Sequence, residues 1–145
     1  MNNQAIEILL VEDNPSDLQL TLRALQKANI SNRIHVARDG AEALEFMQGT
    51  STSGGPGPRL ILLDLKLPKV DGLDVLRQLK SDPRTQSVPI VVLTSSKEQC
   101  DIVESYRLGV NSYIVKPVNF ERFSAAVKDL GLYWLLLNQS PNRAE

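Results

Sequence analysis

Apolar residues fall along the chain in two alternating kinds of stretch. Short runs rich in branched side chains occur at Ile6–Val11, Leu60–Leu63 and Val88–Leu93, with weaker ones at Arg33–Ala37 and Ser112–Val115. Runs that are polar on neither face fit strands covered on both sides, as in a parallel sheet. Between them the spacing turns helical. Asn14-Pro15 supplies a cap and a first-turn proline ahead of Leu18, Leu22 and Leu25. Asp39-Gly40-Ala41-Glu42 has the form of a capping box before Ala43, Leu44 and Met47. Asp71-Gly72 opens a stretch bearing Leu73, Leu76 and Leu79, which Ser81-Asp82-Pro83 ends. Ser95 or Ser96 is the expected cap of a fourth helix through Ile102, Val103 and Tyr106, closed by Gly109. Asn119 is the expected cap of a fifth, with Phe120, Phe123, Val127, Leu130 and Trp134 inward.

Five strands alternating with five helices predict a parallel sheet with right-handed crossovers and helices on both faces. Residues 49–58, rich in Thr, Ser, Gly and Pro, are expected as a flexible loop inserted before the third strand. At 145 residues, 42% apolar and 23% charged, the composition is that of one folded domain, expected over 1–138 with a polar tail at 139–145. With no room for a second domain of normal size, output is expected through contact with another molecule. Sixteen basic against seventeen acidic residues leave no basic stripe, so nucleic acid is not an expected partner. The longest apolar run, Leu130 to Leu137, falls well short of the ~20 residues of a membrane span, and no membrane association is expected. A lone cysteine, Cys100, has neither a disulfide partner nor zinc-ligand company and fits a reducing cytoplasm. It is read as structural, and His35, on a weak strand, as a packed or surface histidine.

Sites in open α/β sheets form beyond the carboxyl ends of the strands. There the first strand ends in Glu12-Asp13, the third in Asp64, the fourth in Thr94 and the fifth in Lys116-Pro117. Singly, each has a plainer reading: a helix cap, a solvated turn or a surface charge. Together, three carboxylates, a hydroxyl and an ammonium at one edge suit a hard divalent ion such as Mg²⁺ and a carboxylate that accepts a phosphoryl group.

From Asp64 onward, Asp-Leu-Lys-Leu-Pro-Lys-Val-Asp-Gly resembles the phosphoacceptor motif of response regulator receiver domains, with Pro68 at +4 and Asp71-Gly72 at +7 and +8. Glu12-Asp13 resembles that family's acidic pair, Thr94 its hydroxyl, Lys116-Pro117 its Lys-Pro and Tyr113 its switch aromatic. The resemblance covers roughly Ile6 to Leu130. It implies a flavodoxin-like (βα)5 doubly wound fold with a five-stranded parallel sheet in the order 2-1-3-4-5. It implies Asp64 as phosphoacceptor, with Mg²⁺ or Mn²⁺ held by Asp13, Asp64 and the Lys66 backbone carbonyl, and with Glu12 contributing. Thr94 and Lys116 then sense phosphate, Thr94 and Tyr113 switch, and Lys66 and Ser96 modulate phosphoryl lifetime. A cis Lys116-Pro117 bond also follows. Glu12 departs from the more common Asp: the charge is kept while the carboxylate's reach changes.

Glu12-Asp-Asn-Pro, the stretch Leu63 to Lys69, Ser81-Asp-Pro and the apolar tail resemble stand-alone regulators paired with phytochromes. The expected partners are a sensor histidine kinase of that type and a downstream protein effector. A helix continued through Leu130–Leu137 carries apolar residues all round its axis. It reads either as an ordinary core helix with exposed leucines or as a self-association surface. Homodimerisation through Leu132, Tyr133, Trp134 and Leu136 is the expectation. The competing function is a pseudo-receiver, a constitutive binding module, whose usual sign is loss of Asp13, Asp64 or Lys116; all three are present. Enzymes on similar folds fit less well. The Asp-x-Asp of haloacid-dehalogenase phosphatases is absent, a P-loop is absent, and Glu12-Asp13 repels a flavin phosphate. The chain is thus expected to be a signalling protein rather than an enzyme.

Overall fold

The computed structural model describes residues 7–27, 33–53, 57–116, 119, 121–122 and 125, the side chains of 50–53 excepted. Five strands and four helices are described in strict alternation: β1 (Ile8–Val11), α1 (Pro15–Lys27), β2 (Ile34–Ala37), α2 (Gly40–Ser53), β3 (Leu60–Leu63), α3 (Gly72–Ser81), β4 (Ile90–Thr94), α4 (Gln99–Leu108) and β5 (Ser112–Val115). All strand pairs are parallel and the sheet order is β2-β1-β3-β4-β5, the flavodoxin-like arrangement expected.

Period-two alternation divides the core between two faces. Ile8, Leu10, Leu60, Leu62, Val91 and Leu93 point to the side that Leu18, Ala24 and Leu25 of α1 cover. Leu9, Val11, Ile61, Leu63, Ile90 and Val92 point to the other, against Ala43 and Met47 of α2 and Val75, Leu76 and Leu79 of α3. The three central strands are buried throughout, which is why they read as unbroken apolar runs.

Helix starts follow the cap chemistry in three cases. Asn14 Oδ1 accepts from the Asp17 N–H at 3.0 Å, Asp39 Oδ1 from Glu42 N–H at 2.8 Å, and Asp71 Oδ2 from Leu73 N–H at 3.3 Å. The Glu42 carboxylate reaches back to the Arg38 N–H, one residue before the cap. Asn119 Oδ1 likewise accepts from Arg122 N–H at 2.8 Å.

Four expectations change. The helix after β2 runs on to Ser53, five residues into the expected loop, because each further residue closes another backbone bond and one glycine costs only about 1 kcal/mol. The fourth strand begins at Ile90 rather than Val88: Val88 N–H is committed to Thr85 O in the preceding turn, and Pro89 has no N–H to donate. Glu98, not Ser95 or Ser96, precedes the first residue of α4, and makes no side-chain cap bond. Ser96 Oγ donates instead to Asp101 Oδ2. Cys100, read as structural, is exposed. His35 is packed as expected, stacked on Phe46 with ring centroids 4.3 Å apart. The Lys116-Pro117 bond, the fifth helix beyond residue 125 and the expected interface at Leu132, Tyr133, Trp134 and Leu136 lie outside the described residues.

Candidate functional site

Ladder bonds carry the strand ends directly into the site. The N–H of Glu12 donates to Ala37 O at 2.9 Å, that of Asp64 to Val11 O at 3.1 Å, and that of Lys116 to Thr94 O at 2.8 Å. Each functional residue is therefore the first beyond, or the continuation of, a paired strand, and its backbone is held by its neighbour.

Lys116 Nζ stands at the centre. It lies 2.7 Å from Glu12 Oε1, 2.8 Å from Asp17 Oδ2 and 2.9 Å from Asp64 Oδ2. An ammonium has three N–H donors, and three carboxylates surround this one. The side chains of Lys116, Glu12 and Asp64 are 9%, 2% and 6% exposed, so this is a buried network. Burial pulls Lys116 toward its neutral form, but the bonds to Asp17, Glu12 and Asp64 outweigh it and hold the ammonium charged. Burial also pushes the Glu12 carboxyl up to about 7. The adjacent Lys116 opposes that shift, and the Asp64 charge adds to it.

Glu12, Asp13 and Asp64 can each present one oxygen such that all three lie within 4.8 Å of one another. Oxygens on opposite sides of Mg²⁺ stand about 4.2 Å apart at its usual bond length. The three oxygens are hard donors grouped closely enough to suit one small divalent ion, and the carboxylates outnumber the single ammonium, leaving negative charge for it to offset. Asp13 is exposed, giving the ion a route in and room for its retained waters.

The remaining expected residues form a second network. Fully buried Thr94 accepts from the Ser96 N–H through Oγ1 at 3.3 Å. Tyr113 OH donates to the Ser96 carbonyl at 3.0 Å. Burial raises the Tyr113 phenol above its ordinary value and keeps it a donor. Lys66 N–H donates to Asp64 Oδ1 at 3.1 Å, while its ammonium extends to Asp101, 3.7 Å away.

Two participants were missed in the sequence, Asp17 and Asp101. Asp17 had a readable signal: it stands four residues after Asp13 and three after the cap Asn14. That places it in the first turn of α1, beside the strand end.

A family model described as the response regulator receiver domain matches residues 8–128. The response regulator Rcp1 of Synechocystis is 40% identical over 129 residues, 88% of each chain. A probable methanogenesis regulatory protein, FilR2 of Methanothrix harundinacea, is 43% identical over 94% of this chain and 88% of that one. Among solved structures, the bacteriophytochrome response regulator AtBRR superposes with a TM-score of 0.79 at 51% identity, covering 93% of this chain and 99% of that one. The Mn²⁺-bound form of Rcp1 superposes with a TM-score of 0.75 at 38% identity, covering 94% and 99%. The chain is a receiver-domain protein related to phytochrome response regulators. On fold, motif and relatives alike, it belongs to the response regulator receiver domain family.

Proposed function

We propose that the chain is a phosphoacceptor switch that takes a phosphoryl group from a sensor histidine kinase onto Asp64. One observation carries this reading: a buried, charged Lys116 aimed at Asp64 beside a carboxylate cluster of ion-binding size. In the proposed transfer an Asp64 oxygen attacks phosphorus and the P–N bond to the donor histidine breaks. The imidazole nitrogen keeps that electron pair and is protonated. Lys116, already within reach, pairs with a phosphoryl oxygen, and Thr94 donates to another. Glu12, Asp13, Asp64 and the Lys66 carbonyl are the residues that hold Mg²⁺ or Mn²⁺. When bound, the ion offsets charge on the phosphoryl oxygens.

The chain acts by contact rather than by turning over a substrate. Movement of Thr94 toward the phosphoryl group pulls on Ser96, and through it on Tyr113, whose hydroxyl the Ser96 carbonyl holds. Shifting such a switch from 1:99 to 99:1 takes about 5.5 kcal/mol of differential stabilisation. Solved relatives that are bacteriophytochrome and cyanobacterial phytochrome response regulators support a phytochrome-type kinase as donor; a separate protein as target completes the reading, and the lone cysteine fits the cytoplasm as the compartment. No helix among the described residues is long and apolar enough to cross a membrane. Homodimerisation through Leu132, Tyr133, Trp134 and Leu136 rests on the apolar sequence pattern, and sedimentation of the chain against a Leu132→Asp/Leu136→Asp variant reads it directly.

The test of phosphoryl uptake is intact mass after incubation with Mg²⁺ and a small phosphodonor. One phosphate is gained by the wild-type chain and none by Asp64→Asn. A wild-type chain that gains no mass is a constitutive binding module instead.

A further inference from the structure

Two loops flank Asp64 on one side: the β3–α3 loop, which carries Lys66, and the β4–α4 loop, which carries Ser96. Both converge on a single atom. Asp101 Oδ2, in the first turn of α4, accepts a hydrogen bond from Ser96 Oγ at 2.5 Å and lies 3.7 Å from Lys66 Nζ. The contacts are unequal in strength. The hydroxyl-to-carboxylate bond is short, charge-assisted and made by a buried serine. The lysine is 61% exposed, and such a pair contributes little to stability by itself. Ser96 thus holds Asp101, whose carboxylate stands within ion-pair distance of the Lys66 ammonium. Each end of this bridge is tied to the phosphoacceptor site: Lys66 N–H bonds Asp64, Ser96 N–H bonds Thr94, and the Ser96 carbonyl holds Tyr113.

We propose that Asp101 is a positioning residue that latches these two loops together, holding the Lys66 side chain across the gap between them, and that the latch slows hydrolysis of a phosphoryl group on Asp64. This rests on the reading of Asp64 as phosphoacceptor. In hydrolysis a water oxygen attacks phosphorus opposite the Asp64 oxygen. The P–O bond to Asp64 breaks, its electron pair returns to the carboxylate, and the water's proton leaves with the phosphate. A lysine stretched between the loops narrows the approach that this water needs. With Asp101 gone, Lys66 loses its anchor, Ser96 Oγ loses its acceptor, and the gap opens.

The test loads the full chain with a small phosphodonor and Mg²⁺, removes the donor, and follows the phosphorylated mass with time. Asp101→Ala and Lys66→Met each lose phosphate about threefold to tenfold faster than wild type, a barrier change on the order of 1 kcal/mol. The double variant is no faster than the faster single one, and Asp101→Glu, which keeps the acceptor, stays within about twofold of wild type. Asp101→Asn, equal in size and uncharged, gives the same acceleration where the alanine variant is too unstable to load. Single-variant rates within about twofold of wild type, or effects that multiply in the double variant, overturn the latch. Acceleration in Asp101→Ala with Lys66→Met at the wild-type rate makes Asp101 a support of α4 alone and overturns it as well. A wild-type chain that never gains phosphate overturns the phosphoacceptor reading itself, and the latch with it.

Discussion

The ammonium of Lys116 has three donors and three carboxylate neighbours, so every change around it redistributes charge. Asp17, the most exposed of the three, is on α1 and outside the proposed ion-binding trio. An anionic phosphodonor approaches four carboxylates and one ammonium; removing one negative charge eases that approach. Asp17→Asn is therefore expected to take up phosphate from a small anionic donor several-fold faster, with the gain shrinking as salt is raised. Uptake rates at low and high ionic strength check it. Away from the site, Arg84 bonds the Asp82 carboxylate through its side chain at 3.0 Å and through its backbone N–H, and holds it below its ordinary value of 3.8. A carboxylate with a lowered folded value adds stability above pH 4 and loses it as pH falls through that range. Urea midpoints from pH 7 to pH 3 should fall less steeply in Asp82→Asn than in wild type, by a small margin because the group is exposed. At this scale Glu12, Asp13, Asp64, Thr94 and Lys116 were legible because each ends a strand or stands within two residues of its end. Asp17 carried only the weaker signal of its first-turn place after the cap Asn14, and Asp101 carried none, because helical residues reach the site through side-chain direction and loop path.

Elements meet the site through close backbone approaches. A Cβ on Gly72, at the start of α3, would stand 2.4 Å from Leu65 Cα and 2.5 Å from the carbonyl oxygen of Asp64. Both are backbone atoms and neither can swing aside. Gly72 N–H also donates to Leu65 O at 3.0 Å, sealing α3 against the loop that presents the phosphoacceptor. The Asp71-Gly72 pair thus has two physical jobs, a cap and a close approach. Gly109 differs: it ends α4 with φ at 104°, a left-handed residue whose N–H and successor's N–H bond the Tyr106 and Ser105 carbonyls. A Cβ there would meet only Lys80 side-chain atoms at 3.7 Å or more. Gly72→Ala and Gly109→Ala are both expected to destabilise the chain, by about 1–3 kcal/mol and about 1–2 kcal/mol respectively. Only Gly72→Ala also impairs phosphoryl uptake, since its clash displaces Asp64. Urea denaturation together with intact-mass uptake separates the two. The capping patterns at α1, α2 and α3 were readable because they act over three or four residues. The extension of α2 to Ser53 and the late start of β4 were not, because hydrogen bonds already committed elsewhere decide them.

For the whole molecule, strand order sets which charges meet. Lys116 follows β5 and Glu12 follows β1, which are separated by β3 and β4. Three strand spacings amount to about 14 Å, a gap only long side chains leaning inward can close. Lys116 and the extra methylene of Glu12 supply that reach, ending 2.7 Å apart. Three carboxylates surround the Lys116 ammonium and Asp13 stands beside Glu12 and Asp64, so negative charge is left over that a divalent cation would offset. Mg²⁺ or Mn²⁺ should raise the denaturation midpoint, with the unfolding free energy gaining about 2.7 kcal/mol at a hundred times the dissociation constant. The rise should nearly vanish in Asp13→Asn, which removes a carboxylate from the trio; thermal melts over a metal titration check it. By itself the sequence determined the alternation of five strands with helices and the residue type at each strand end. Both follow from local periodicity and from motif spacing. The tertiary structure alone decided that Lys116 is shared among Glu12, Asp17 and Asp64, and that Asp101 joins Lys66 to Ser96. Those contacts depend on strand order, register and side-chain reach across the sheet, distances that no single stretch of sequence contains.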